Sequence, residues 1–539
     1  MVATPKSADR LAWTAALLAP PLFGVLAVMF GQDANWDLRN YHYYNPHAFL
    51  TGRIGYDIAP AQLPTFYNPL LHVPFYWLVN LAPPRGTAFV LGTVQGLNFV
   101  LLLLIARQVL GPVLRWTAPV IALLGMVGAG NLSLLGTSFF DNVLSLFFLG
   151  SLLLLLRGHD RLLRGPLTEA LWLAAGAGLA IGLAVGLKQT MVIYALGLCL
   201  ACLFMSAEWR RTFPVAFAFG CGVIAGLLLT GGFWMWLLYQ RYESPLFPMM
   251  NGLFRAPLAP LTNRVDPAFL PKSAWEALLY PFVFAFDSRR VGEISFVELR
   301  IALLYVLLPL ALLWRARPTL SDAARGRVIL AAIAVTYVFW LGMFSIYRYL
   351  VGVELLAPLA IILCLDRLPL GRFRIPAAAV AGLAILAGLQ PGQWERVSWT
   401  DGRDYFGVSA PVFERPAQTL VLMAGWQPTS FVIPKLPREL RFLRIQSNFT
   451  SPGDEENGFN DIMRGIVERH RGPLFLLVKD HELKDAAKAL TTYHDTIDTA
   501  ACKPLPTHLD RQLLLCPLLR EEQRSSFSSL SRGDAARHE

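Results

Sequence analysis

The sequence predicts a polytopic, mainly α-helical membrane protein with a small α/β domain outside the membrane near its C-terminus. Three observations carry this. Apolar residues fill 55% of the 539 positions and charged residues only 16%, with a mean hydropathy of +0.47. One soluble core stops growing at about 250–300 residues and could not absorb so much apolar surface. The apolar residues are gathered into runs of spanning length separated by short, Arg-rich loops. After about residue 391 that pattern gives way to short apolar runs alternating with amphipathic stretches.

Taken in order, Lys6 and Arg10 precede an apolar run of about 20 residues, the length of a true span. A cleaved signal has a shorter core and a small-residue cleavage site; "GQDANWD" is a poor one, so a retained first helix is expected. Spanning windows fall at about 11–30, 88–106, 118–137, 139–157, 168–187, 190–206, 215–238, 299–314, 328–346, 350–365 and 375–391, about eleven in all. Arg107 and Arg115, then Arg157, Arg161 and Arg164, then Arg210 and Arg211, share one side. So do Arg315, Arg317, Arg325 and Arg327, and Arg367, Arg372 and Arg374. The positive-inside rule places these and the N-terminus in the cytoplasm of an inner (plasma) membrane, and the C-terminal region outside it. The dispersal of these arginines accounts for the net charge of +10 without nucleic acid as a partner.

This map divides the chain into a membrane module (1–391), an extracytoplasmic α/β domain (392–520) and a polar, Ser-rich tail (521–539) expected to be disordered. Residues 31–87 and 239–298 form long outer loops. The first contains "NPLLHVPFYWLVNLAPP", too short and Pro-rich to span, and so expected to lie at the interface. In the C-terminal domain "TLVLMAG", "LRFLRIQ", "PLFLLVK" and "RQLLLCPLL" read as buried strands. "NGFNDIMRGIVERH" and "HELKDAAKALTTYH" read as amphipathic helices, which predicts a mainly parallel sheet. No Gly-rich phosphate loop occurs there, and no cofactor is assigned. Cys199 and Cys202 lie in an apolar run and read as packing residues; Cys502 and Cys516 could be bridged outside the cytosol.

The chemistry concentrates in the first outer loop, where Asp33, Asp37, Arg39, His42 and Asp57 are interleaved with Trp36 and several tyrosines. Aromatic rings stack on sugar faces while carboxylates and amides bond sugar hydroxyls, so a carbohydrate suits this loop better than an ion. Asp37 or Asp33 can serve as a general base toward an acceptor hydroxyl. Asp37, Tyr41 and His42 can share one helix face; the competing assignment is a carboxylate paired locally with Arg39. Asp141 begins the fourth window and is either a second functional acid or a helix N-terminal residue favoured by the dipole. Lys188 and Arg348 sit at outer span ends, where each is either a snorkelling or ion-paired residue or a phosphate contact. Glu354, about two turns beyond Arg348, is the competing partner for it. Arg255, Glu298 and Arg300 are weaker candidates at the same face.

Six stretches in this order resemble the GT-C superfamily of membrane glycosyltransferases that use polyprenyl-phosphate-linked sugars. They are "WDLRNYHYY", "YNPLLHVPFYWL", "DNVLSLFF", "GLAVGLKQT", "YESPLFPMMNGLFRAP" and "RYLVGVELLAP". The fifth departs from the related G-N-P-x-F-P pattern at Glu243 and Ser244, and the sixth has Gly352 where proline is usual. The resemblance covers roughly 10–390 and implies Asp37 as base, with Asp33 as the alternative. It implies Asp141 as second acid, Lys188 and Arg348 as phosphate contacts, and Tyr41, His42 and Asn68 in the binding loop. It further implies an inverting transfer from a polyprenyl-phosphate sugar donor, held in the lipid bilayer, to a glycan or lipid acceptor of the cell envelope; the sequence shows no clear carboxylate cage, so no obligatory metal is expected. The rival readings are a transporter or flippase of a lipid-linked saccharide and an O-antigen polymerase- or ligase-like enzyme. Transporters place charge near the midplane and often carry internal repeats, which are absent here.

Overall fold

The computed structural model describes residues 5–263, 266–314 and 317–520. The tail at 521–539 and Arg315 lie outside these residues. The chain forms two compact units: Met1–Asp33, Arg85–Phe233 and Val265–Arg396 make the first, and Ala34–Pro84, Trp234–Arg264 and Val397–Glu539 the second.

The first unit is a helical bundle. Among the described residues six helices are long and apolar enough to cross a membrane: Asp9–Met29, Pro84–Val109, Leu167–Leu187, Trp209–Tyr242, Ala323–Met343 and Tyr347–Leu365. The last nine residues of Trp209–Tyr242 belong to the second unit. Other predicted windows also form helices, but shorter ones: Val192–Leu203, Arg300–Trp314 and Arg374–Ala387 have 12, 15 and 14 residues. At about 1.5 Å per residue such helices reach roughly 18–23 Å, less than a hydrocarbon core of about 30 Å. Asp141–Arg157, with 17 residues, stands at the threshold. Six of the described helices thus qualify by length and composition, and the expected count of eleven is not confirmed.

The window at 118–137 is not one helix. It breaks into Ala118–Met126 and Ala129–Ser133. Free helix ends inside a bundle need partners for their carbonyls and amides, and three charged residues supply them. The Arg300 guanidinium donates to the carbonyls of Leu124, Gly125 and Val127. Glu298 accepts from the Ala129 amide (3.0 Å), and Glu354 accepts from Gly130 (2.9 Å) and Asn131 (2.8 Å). Gly128 is needed here, since a Cβ would lie 2.1 Å from a Glu354 carboxylate oxygen.

Gly178, Gly182 and Gly186 of "GAGLAIGLAVG" have a packing role. A Cβ on Gly178 would lie 2.0 Å from the Phe219 carbonyl, and one on Gly182 would lie 2.3 Å from that of Val223. Across the contact, a Cβ on Gly222 would lie 2.0 Å from the Ala175 carbonyl. Small residues one turn apart let the two backbones touch, which supplies dispersion contact where lipid offers no hydrophobic drive.

The second unit holds the sheet. Its strands are β1 (Leu420–Met423), β2 (Arg441–Arg444), β3 (Leu474–Lys479), β4 (Asp495–Ile497), β5 (Lys503–Pro504) and β6 (Leu513–Arg520). The order is β2-β1-β3-β6-β4, with β5 also on β6. All four predicted strands form, and both amphipathic stretches are helical, as Gly458–Arg469 and Leu483–Leu490. The mainly parallel expectation fails: β1 is parallel to β2 and β3, but β6 is antiparallel to β3, β4 and β5. The chain reaches β6 by a short return from β5, and a short return reverses direction where a helical crossover preserves it.

Residues 53–58 are stitched into this sheet. Ile58 donates to the Phe442 carbonyl and accepts from the Arg444 amide, both at 3.0 Å, which makes a parallel bridge beside β2. Arg53 grips Asp57 through Nε and Nη2, each at 2.8 Å, and also donates to the Arg438 and Leu440 carbonyls. A shared core of Phe66, Trp234, Phe247, Phe449, Phe459 and Met463 closes the unit. Cys502 and Cys516 are disulfide-bonded; Cys199 and Cys202 are free thiols within Val192–Leu203.

Candidate functional site

In the first unit the structure gathers Asp141, Lys188 and Arg348, which lie far apart in sequence. Asp141 opens the helix Asp141–Arg157 after Phe140, whose left-handed backbone (φ 64°) turns the chain sharply. Lys188 ends Leu167–Leu187 in extended conformation, which swings its ammonium to within 2.6 Å of Asp141 Oδ1 and 3.4 Å of the Phe139 carbonyl. The second carboxylate oxygen, Oδ2, is buried and makes no hydrogen bond among the described residues. The cations share an aromatic bed: Lys188 Nζ is 5.3 Å and the Arg348 guanidinium 5.2 Å from the Tyr349 ring centre. Arg348 also lies 4.7 Å over Phe139 and 5.9 Å over Trp394. Rings hold guanidinium and ammonium groups through their quadrupoles without neutralising them.

Asp33 belongs to the same unit. It is buried, and its Oδ2 accepts from both the amide and the hydroxyl of Ser138, each at 2.9 Å. It thereby fixes the turn that leads into Asp141.

In the second unit, Asp37 is half-buried at the start of the π-helical turn Leu38–His42. Tyr41 donates to its Oδ2 at 3.3 Å, the i,i+4 pairing that the sequence proposes. His42 stacks on His72 with centroids 4.0 Å apart, and Tyr41 meets His42, Tyr67 and His72 edge-on. Asn68 accepts from the Leu70 amide at 3.0 Å, turning the chain into the helix Val73–Leu81. Arg39 pairs with Asp510 at 3.0 Å.

The weaker candidates lie elsewhere. Arg255 is exposed, with a left-handed backbone (φ 57°) at the end of Asn251–Phe254. Glu298 and Arg300 are fully buried and ion-paired at 2.8 Å, spent on the helix break described above. Glu354, the rival partner for Arg348, gives both oxygens to the amides of Gly130 and Asn131 instead.

No protein-family model and no curated protein matches the sequence. Solved structures match the fold. ArnT from Cupriavidus metallidurans bound to undecaprenyl phosphate superposes with a TM-score of 0.52 at 13% identity, covering 95% of this chain and 98% of ArnT. Its apo state gives 0.50 at 13% identity, covering 96% and 98%. The chain has the ArnT fold.

The likeness spans nearly the whole chain, C-terminal region included. The ArnT-like fold also brings forward residues that sequence reasoning missed. Trp394 packs on Phe139 with centroids 4.6 Å apart, and Arg396 donates to the carbonyls of Gly31, Ser133 and Leu135. Both follow the last apolar run, in the linker "QWERVSW", which offers only two tryptophans and a neighbouring acid and cation. His72 was legible only as the polar residue inside "YNPLLHVPFYWL".

Proposed function

We propose that the protein is an integral membrane glycosyltransferase. It moves a sugar from a polyprenyl-phosphate donor to a cell-envelope acceptor on the extracytoplasmic face, with inversion at the anomeric carbon. One observation carries the reading: in a fold shared with ArnT, Lys188 and Arg348 share an aromatic bed, and Lys188 pairs with the buried acid Asp141. An ammonium and a guanidinium brought to one place are the donors that suit a phosphate monoanion or dianion. The ArnT structure that matches was solved with undecaprenyl phosphate.

In the proposed reaction Asp37 accepts the proton of the acceptor hydroxyl, whose oxygen attacks the anomeric carbon. The bond from that carbon to the phosphate oxygen breaks, and polyprenyl phosphate departs with the bonding pair. Lys188 and Arg348 stabilise the charge that builds on the departing phosphate, the kind of interaction that strengthens in the transition state. Asp141 orients Lys188, while Asp33 sets the turn before Asp141 and is the less suited base because one of its oxygens is engaged twice. Tyr41, His42 and Asn68 shape the binding loop. Glu298 and Arg300 are assigned to the helix break rather than to substrate. The N-terminus is placed in the cytoplasm and the second unit outside, a placement that the Cys502–Cys516 bond supports.

Glycan analysis of envelope from cells lacking the protein tests this. A saccharide that loses one sugar, and regains it with the wild-type chain but not with Asp37→Asn at equal abundance, supports the proposal. An unchanged envelope glycan profile contradicts it.

A further inference from the structure

The second unit contains a cavity of about 270 Å³ that the proposed reaction does not use. Its wall is largely apolar, built from Phe66, Trp234, Leu238, Leu258, Phe459 and Ile462. Two arginines also line it, Arg241 from the end of Trp209–Tyr242 and Arg441 from β2. Neither forms an ion pair among the described residues. Each spends a donor on a backbone carbonyl, Arg241 on Ile54 and Arg441 on Tyr56, and keeps further guanidinium donors for a ligand. The third lining arginine, Arg53, is neutralised by Asp57.

The remaining polar lining is nearly spent. Asp57 gives its oxygens to Arg53, Tyr44 and the Phe442 amide, and the Trp234 indole donates to the Phe66 carbonyl at 2.9 Å. Asn45 is 5% exposed and commits its amide nitrogen to Pro64 and Tyr67, but its Oδ1 makes no hydrogen bond among the described residues. A free saccharide needs many hydroxyl partners, which this wall does not offer. An alkyl chain fits the apolar wall, an anion fits the two arginines, and the volume, at the lower end of ligand sites, admits one chain rather than two.

We propose that this cavity binds one acyl limb of an anionic lipid, with its phosphate on Arg241 and Arg441. The lipid is either an acceptor substrate or a resident phospholipid; the chemistry is shared. The proposal does not depend on the donor-site assignment, and its test excludes that site. Monododecyl phosphate is titrated into the full chain carrying Lys188→Met, in nanodiscs of zwitterionic lipid, by calorimetry. One saturable site is expected, weakened at least tenfold by Arg241→Gln with Arg441→Gln and by raised salt. Leu258→Trp, which fills the wall and keeps both arginines, should abolish it, and dodecanol should bind at least tenfold more weakly than the phosphate. No saturable site, or one unchanged in both the arginine and the Leu258→Trp variants, overturns the proposal. In chains with Lys188 intact, a raised KM for acceptor at unchanged kcat in the arginine variant identifies the acceptor. Unchanged kinetics with lost thermal stabilisation by the probe identifies a resident lipid.

Discussion

Lys188 Nζ and Asp141 Oδ1 stand 2.6 Å apart, with side chains 17% and 3% exposed. Removing either member of so buried a pair disturbs the other, and the two deletions have different outcomes under the proposed mechanism. Lys188→Met removes a phosphate contact and should lower the transfer rate by about 10²–10³-fold, with weaker binding of undecaprenyl phosphate. Asp141→Asn keeps the cation, and should retain or tighten phosphate binding while transfer falls because Lys188 is no longer held in place. Paired binding and turnover measurements on the two variants check this; equal loss of binding in both would contradict it.

The glycine contact between Leu167–Leu187 and Trp209–Tyr242 predicts a stability effect remote from the chemistry. Gly182→Leu cannot be accommodated 2.3 Å from the Val223 carbonyl without separating the helices. A marked drop in thermal stability in detergent is expected. Gly176→Leu, on the same helix with open space around its Cβ position, should be nearly neutral. Parallel melting curves of the purified variants decide it.

Cys502 and Cys516 close a loop with a sequence separation of 14. Loops of that length are worth about 3 kcal/mol when cross-linked. Replacing both cysteines with serine should therefore destabilise the second unit by about 2–3 kcal/mol, read as a shifted denaturant midpoint. The same shift should follow reduction of the wild-type chain and be absent when the variant is reduced.

Asp495, on β4, has a buried carboxylate oxygen with no hydrogen bond among the described residues. Burial pushes its carboxyl up from 3.8 to about 6, against the pull of Arg520 and His494. An acid raised in the fold costs nothing below pH 3.8, where it is protonated folded or unfolded. It destabilises increasingly as pH rises toward 6, and fully above that. Asp495→Asn should thus stabilise the protein at pH 7 to 8 and have little effect near pH 4. Melting temperatures of both chains across that range test the sign, and a stabilisation confined to acid would refute it.

Much of the architecture was legible because hydropathy reports what a segment must bury. The apolar runs became helices, and the four short apolar runs after residue 400 became four adjacent strands of the sheet. What failed depends on distant partners. The break at Val127 and Gly128 is stabilised by Glu298 and Glu354, 169 and more residues away, and no local pattern announces it. The direction of β6 follows from its connection rather than from its composition. In the candidate site, Asp141, Lys188 and Arg348 stood out as charges at apolar boundaries. Trp394 and Arg396 did not, because polar and aromatic residues in a linker are unremarkable until the fold sets them beside Phe139 and Ser133.

The most direct test is single-turnover sugar transfer by purified protein from a labelled polyprenyl-phosphate donor to envelope glycolipid, comparing wild type with Asp37→Asn. The account predicts transfer by the wild type and a loss of about 10²–10⁴-fold in the variant, the usual worth of a general base, with donor binding retained. Transfer at the wild-type rate by Asp37→Asn would contradict it.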